Sequence, residues 1–175
     1  MARTSGDVRA RSFAEVRELL LERARAPRNP FYYTRADEVE AALGRLGGGD
    51  ESRPYGAADR DAWAEAFSSR ATPYEERAAQ AEAAGDARAA LENYVIAYDY
   101  CHVARYPAPN SPGKEAAYRR AQANYLKAAR YFDPPLEVVE MPFRGRPGEG
   151  STVIGHLRKP KGAAGTAPRP PNPGG

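Results

Sequence analysis

Residues 87–105 read ARAALENYVIAYDYCHVAR, and this stretch decides the fold class. Neither proline nor glycine interrupts it. Leu91, Tyr94, Val95, Tyr98, Cys101 and His102 fall on one side at helical spacing, with Ile96 and Val103 elsewhere. A helix apolar over so wide an arc belongs in the middle of other helices. Gly85-Asp86 starts the segment and Pro107 closes it. The expected class is therefore mainly α, a helical bundle with this segment at its centre.

Four more helical stretches surround it. Upstream, 13–25 opens on Ser12 with Glu15 three residues on, a capping-box pattern. Phe13, Val16 and Leu20 share one face, joined by Leu19, and Pro27 and Pro30 end the stretch. A second helix is expected over 34–46, capped by Thr34, with Val39, Ala42, Leu43 and Leu46 as its stripe and Gly47-Gly48-Gly49 as its stop. A polar loop over 49–56 leads to a third stretch, 59–84, where Trp63, Ala66, Phe67, Arg70, Tyr74, Ala78 and Ala81 recur. Pro73 interrupts it just after Thr72, a second capping residue. Either a kink or two abutting helices would accommodate Pro73, and because proline is comfortable at the first helical position, two abutting helices are expected. Downstream, Ser111-Pro112 starts a fifth helix running to Phe132, with Tyr118, Ala121, Tyr125, Ala128 and Phe132 as its stripe.

After Pro134-Pro135 the period falls to two. Val139, Met141 and Phe143 alternate with other residues, and 152–158 follows beyond a Gly-rich turn, with Val153 and Leu157 facing one way and Ile154 and His156 the other. Together they read as a β-hairpin, and an isolated hairpin is marginal in water. The organisation expected is a flexible start at 1–11, a helical domain at 12–133, the hairpin at 134–160, and a tail at 161–175 too rich in Pro, Gly and basic residues to order itself.

Composition narrows the function. The net charge is +3, too small by itself to imply a nucleic-acid partner. Two basic ends flank an acidic middle, and neither nucleic acid nor membrane is expected as a partner. The single cysteine, Cys101, excludes an intrachain disulfide and fits a reducing compartment. No stretch approaches the ~20 apolar residues of a membrane span, and the first residues lack the apolar run of a signal peptide. Cytoplasmic residence is expected.

Several pieces in order carry a resemblance. They are Asn29-Pro30-Phe31, Trp63, Tyr74-Glu75, Ala81-Glu82-Ala83-Ala84-Gly85, Ala104-Arg105-Tyr106-Pro107, Ser111-Pro112-Gly113-Lys114 and Tyr118. Then come Asp133-Pro134-Pro135-Leu136-Glu137-Val138-Val139, Pro142-Phe143-Arg144-Gly145 and Gly155-His156-Leu157-Arg158-Lys159-Pro160. The set resembles the α/β-hydrolases with an N-terminal helical domain, the family of the fermentation–respiration switch esterases and the 2,6-dihydroxypseudooxynicotine hydrolases. The resemblance implies that the helices form a cap over an active-site mouth and that the hairpin opens the hydrolase sheet. It also implies a small-molecule ester or ketone as substrate of the full-length family. A third strand would follow a Pro-rich lead-in such as Ala167-Pro168-Arg169-Pro170-Pro171, where this sequence instead has Asn172-Pro173-Gly174-Gly175. The G-x-S-x-G elbow that carries the nucleophile in such enzymes occurs nowhere in the chain. The expectation is a truncated N-terminal part of a hydrolase, itself without activity, whose exposed hairpin self-associates.

No catalytic residue, cofactor or metal site is expected. The two histidines are His102, on a mostly apolar helical face, and His156, in mid-strand. Neither has a second ligand four residues on, as a zinc pair would need. Cys101 and His102 are adjacent, but neighbours on a helix point about 100° apart. The substrate-lining candidates are Tyr94, Tyr98, His102 and Tyr125. The tyrosines read first as plain core of the bundle, and alternatively as hydroxyls on an apolar wall that positions a substrate. A helical protein-interaction module is the alternative function, although the roughly 34-residue repeat of tetratricopeptide proteins is missing.

Overall fold

A computed structural model of the chain describes residues 12–46 and 60–162. Five helices and one antiparallel hairpin follow in chain order: α1 (Phe13–Arg25), α2 (Ala36–Gly44), α3 (Arg60–Ala83), α4 (Ala87–Ala104), α5 (Pro112–Ala129), β1 (Glu137–Pro142) and β2 (Thr152–Leu157). The chain divides into two compact units, Met1–Tyr131 and Phe132–Gly175. The expected triglycine stop and polar loop fall outside the described residues, as do 1–11 and the tail from 163 onward.

In the helical unit α4 packs against both α3 and α5, α3 also meets α5, and α2 bridges α1 to α3. The Ser12–Glu15 capping box at the start of α1 is present in both directions, with Ser12 N–H donating to Glu15 Oε2 at 2.7 Å. Phe13, Val16, Leu20 and Ala24 bury the face it predicts. The rings of Trp63 and Phe67 of α3 lie tilted to one another with centroids 4.7 Å apart, and Phe31 reaches Phe67 at 6.4 Å. The Trp63 indole N–H donates to the Val103 carbonyl at 3.0 Å, which satisfies the one polar atom of a buried ring.

Three local expectations are corrected. Pro73 does not split the third stretch, since α3 runs through it unbroken. Proline removes one helical donor, and here Arg120 of α5 braces the turn before it. Its guanidinium donates to the Ser68 carbonyl at 3.0 Å and to Thr72 Oγ1 at 2.8 Å, so Thr72 serves as an acceptor and not as a cap. Thr34 does not cap α2 either. That position belongs to Arg35, without a side-chain cap, because the amides before it turn to Asp99. Finally, α5 ends at Ala129, short of Phe132.

The fourth correction concerns which face is inside. On α4 the buried set includes Ala90, Ala97 and Ala104, spaced by seven, with Tyr94, Tyr100, Cys101 and Val103. On α5 it is Ala117, Ala121, Ala128 and Ala129 with Lys114 and Asn124. Tyr98, His102 and Tyr125 are half-buried and Tyr118 is exposed. Small residues occupy much of the seams between helices, and of the rings in the expected stripes Tyr94 is buried while Tyr98, His102, Tyr118 and Tyr125 lie at the rim.

In the second unit the strands pair from Glu137↔Leu157 through Val139↔Gly155 to Pro142↔Thr152. The Phe143 N–H donates to the Ser151 carbonyl at 2.8 Å. The bonded pairs are therefore the odd-numbered residues, and the even-numbered ones turn their backbone groups outward. Pro142 thus sits where the hairpin needs no donor from it. Arg158 Nη2 donates to the Asp133 carbonyl and its Nε to the Pro134 carbonyl, both at 3.0 Å, with the guanidinium 4.8 Å over the Phe132 ring. Lys159 pairs with Glu137 and Lys161 with Asp133. These contacts tie the two ends of the hairpin together.

Candidate functional site

Three of the four sequence candidates come together on α4 and α5. The Tyr98 ring centroid is 5.6 Å from that of His102, one turn on, and 5.6 Å from that of Tyr125. The Tyr98 hydroxyl lies 3.4 Å from His102 Nδ1. Arg105 Nη2 lies 3.2 Å from both ring nitrogens of the same histidine, and its guanidinium reaches over the Tyr118 ring at 5.8 Å. The result is a half-buried aromatic patch with one cation at its edge.

Electrostatics set the chemistry of this patch. Burial, then the Arg105 charge, push the His102 pKa below its ordinary value, so the imidazole is neutral at pH 7. Burial raises Tyr98, which stays a hydroxyl. A catalytic base histidine is held by a carboxylate that stabilises its protonated form. His102 has a guanidinium beside it, which opposes that form. The patch presents flat rings, a hydroxyl and a neutral imidazole whose protonated form the Arg105 charge disfavours.

Tyr94 is engaged separately. Its ring is 1% exposed, and its hydroxyl donates to Glu82 Oε2 at 2.6 Å. Tyr131 donates to the other oxygen of Glu82 at 2.8 Å. Burial first, then Glu82, push Tyr94 up to about 12. Glu82 is held below its usual range by the same hydroxyls. This is a clamp joining α3, α4 and the end of α5. Cys101 is fully buried, and burial raises its thiol to about 12, so it is an inert core residue.

Sequence reading missed the buried polar centres. Asp99, 1% exposed in mid-α4, accepts the backbone N–H groups of Tyr32, Tyr33 and Thr34 on one oxygen at 2.9, 2.7 and 3.2 Å. Burial raises its pKa and these three donors pull it back. Glu38 accepts the hydroxyls of Tyr74 and Tyr100, and the Tyr100 oxygen in turn accepts the Arg35 N–H at 3.0 Å. Glu75 takes Arg120 on both oxygens, at 2.8 and 2.6 Å, and Asn124 at 2.6 Å. Burial works to raise Glu75, but Arg120 and Asn124 outweigh it and its pKa is lowered. The visible signals were an aspartate inside an apolar run and an Arg-Asn pair four residues apart, one helical turn. Nothing in the sequence says what they face.

A shallow groove on the molecule is lined by Glu15, Glu18, Leu19, Glu22, Arg25 and Ala26 of α1 and its end. It shares no residue with the tyrosine patch. Among the described residues no group of three or more His, Cys, Asp or Glu side chains could hold a metal ion, and no helix is long and apolar enough to cross a membrane. No model of a known protein family matches the chain, and no curated protein is similar to it in sequence.

Proposed function

We propose that this chain is the cap-like helical region and opening hairpin of an α/β-hydrolase. It covers and orients a substrate and does not break bonds itself. The parent would be a serine esterase or a carbon–carbon hydrolase acting on a small ester or ketone. The observation that carries the reading is the hairpin. It follows a helical unit with a closed core, yet Val138 and Ile154 on one face and Met141, Phe143, Val153 and Leu157 on the other are 39–55% exposed. Apolar side chains on both faces suit a strand covered on both sides, as in an α/β sheet. The patch of Tyr98, His102 and Tyr125 supplies a wall for an aromatic or acyl group, and the neutral imidazole fits binding and not catalysis. A buried, reduced Cys101 accords with cytoplasmic residence.

The test joins the catalytic part of such an esterase, lacking its own cap and first two strands, after Pro160. The expected result is a soluble fusion labelled by a fluorophosphonate on the added serine, while residues 1–175 alone stay unlabelled. Labelling of the chain alone at one serine would overturn the reading, as would a fusion that never labels. A fusion that stays dark while the chain captures a helical protein partner would favour the interaction module.

A further inference from the structure

The half-buried patch on α4 and α5 carries an uncompensated charge. Arg105 Nη2 lies 3.2 Å from both ring nitrogens of His102, and its guanidinium is 5.8 Å from the centre of the Tyr118 ring. Neither contact supplies a negative charge, and among the described residues no carboxylate forms an ion pair with Arg105. The acid nearest to it in sequence, Asp99, is 1% exposed and spends one oxygen on three backbone N–H groups. The Asp99 charge reaches the Tyr98 hydroxyl, whereas His102 is shifted by burial and then by Arg105 alone. The surroundings of the imidazole are therefore net positive.

Rings stand around this charge, and they are held in place. Tyr98 has His102 and Tyr125 each at 5.6 Å between centroids. Tyr33, 57% exposed, is close enough to act on the Tyr98 hydroxyl. Its loop is fixed to α4 by the residues that follow Tyr98: Asp99 accepts the N–H groups of Tyr32, Tyr33 and Thr34, and the Tyr100 oxygen accepts that of Arg35. Rings ordered before a ligand arrives cost less to order on binding. A cluster of tyrosines alone suits a cation over its ring faces, but a guanidinium among them repels one. Flat rings favour a flat aromatic body, and the planar fork of an arginine favours a carboxylate.

We propose that this patch binds an aromatic carboxylate, with its ring among Tyr33, Tyr98 and Tyr125 and its negative group on Arg105. The inference deepens the cap reading and rests on it for one consequence, that the ester or ketone acted on by the parent carries an aromatic ring and a carboxylate. Binding itself is a property of this chain alone.

An NMR titration of the full chain with 1-naphthoate, neutral 1-naphthamide and cyclohexanecarboxylate tests this. The expected result is saturable amide shifts centred on Tyr33, Tyr98, His102 and Tyr125 with 1-naphthoate, and affinity about tenfold or more weaker for each of the other two. Arg105→Gln should bring the naphthoate affinity down to that of the amide, and Arg105→Lys should keep part of the difference. Tyr98→Leu should weaken both aromatic probes. Circular dichroism at the wild-type level shows that a variant has kept its fold, and the Arg105 variants decide the matter if Tyr98→Leu fails to fold. Equal affinity for naphthoate and naphthamide overturns the proposal, because the charge then plays no part. So does a preference that survives Arg105→Gln, a cyclohexane ring bound as well as the aromatic one, shifts centred on the hairpin, or no saturation by about 10 mM. The labelling test above reads the added catalytic part and this one reads the chain alone, so either can fail while the other stands.

Discussion

The helical unit and the hairpin solve the burial problem in opposite ways. In the first, Val39, Phe67, Ala97, Tyr100 and Val103 are fully buried, and the charged residues inside are partnered. In the second, six large apolar side chains are 39% exposed or more. A two-stranded sheet gives each residue a cross-strand neighbour on one side only, and no layer within the hairpin covers either face. Five helices enclose a volume, and a lone hairpin does not. The difference teaches where each region's stability resides: in the first unit it is packing with buried polar anchors, and in the second the turn, the ladder and the surface ion pairs.

That contrast can be broken by mutation. The largest effect expected is at Asp99. Removing its carboxylate strands three backbone donors in a site 1% exposed, each costing about 1–3 kcal/mol if left unsatisfied. Asp99→Ala should lose roughly 3 kcal/mol or more in urea denaturation followed at 222 nm, and Asp99→Asn, which keeps an acceptor oxygen, clearly less. Equal losses for both would show that the amides find other partners.

The alanine seam comes next. Ala97→Leu forces extra volume into a position with no exposure and should destabilise by about 1–3 kcal/mol. Tyr98→Ala at the rim, one residue on, should cost less. A reversed order would put the tyrosine stripe back at the centre of the bundle. Arg120→Ala should cost about 2 kcal/mol, since it removes a bidentate bond to Glu75 and the brace before Pro73. Hydrogen exchange should rise around Ser68 and Thr72 if that brace holds the helix through the proline.

The pH dependence is subtler. His102 titrates below its ordinary value of 6.5 in the folded chain, so between the two values the unfolded state binds more protons. Its contribution is fully present above about 6.5, and stability falls as pH drops through the window below, then levels off under the folded value. His102→Gln should flatten that part of the curve. A curve of unchanged shape would mean another group is responsible. The smallest effect is expected in the hairpin, where Ile154→Thr should leave the helical melting transition within about 0.5 kcal/mol.

Much of this was legible because it depends on local spacing. The capping box at Ser12 and Glu15, the start of α4 at Gly85-Asp86, and the change of period after Pro134-Pro135 are all short-range signals, and each acts within one turn or one strand pair. The seam was not legible. Alanine and tyrosine both count as apolar in a periodicity reading, and only the facing helices decide which of two adjacent stripes lies inside.

By itself, the sequence determined that five helical stretches precede a hairpin, where most of them begin, and that no G-x-S-x-G is present, because these follow from residue type and near neighbours. Tertiary structure alone decided that α3 runs through Pro73, that Asp99 holds a loop 65 to 67 residues away in sequence, and that Tyr98, His102 and Tyr125 share a rim patch while Tyr94 serves Glu82. Each of these is a bond or contact between groups far apart in the chain. Its free energy depends on burial and on a partner's position, and neither exists until the helices have packed.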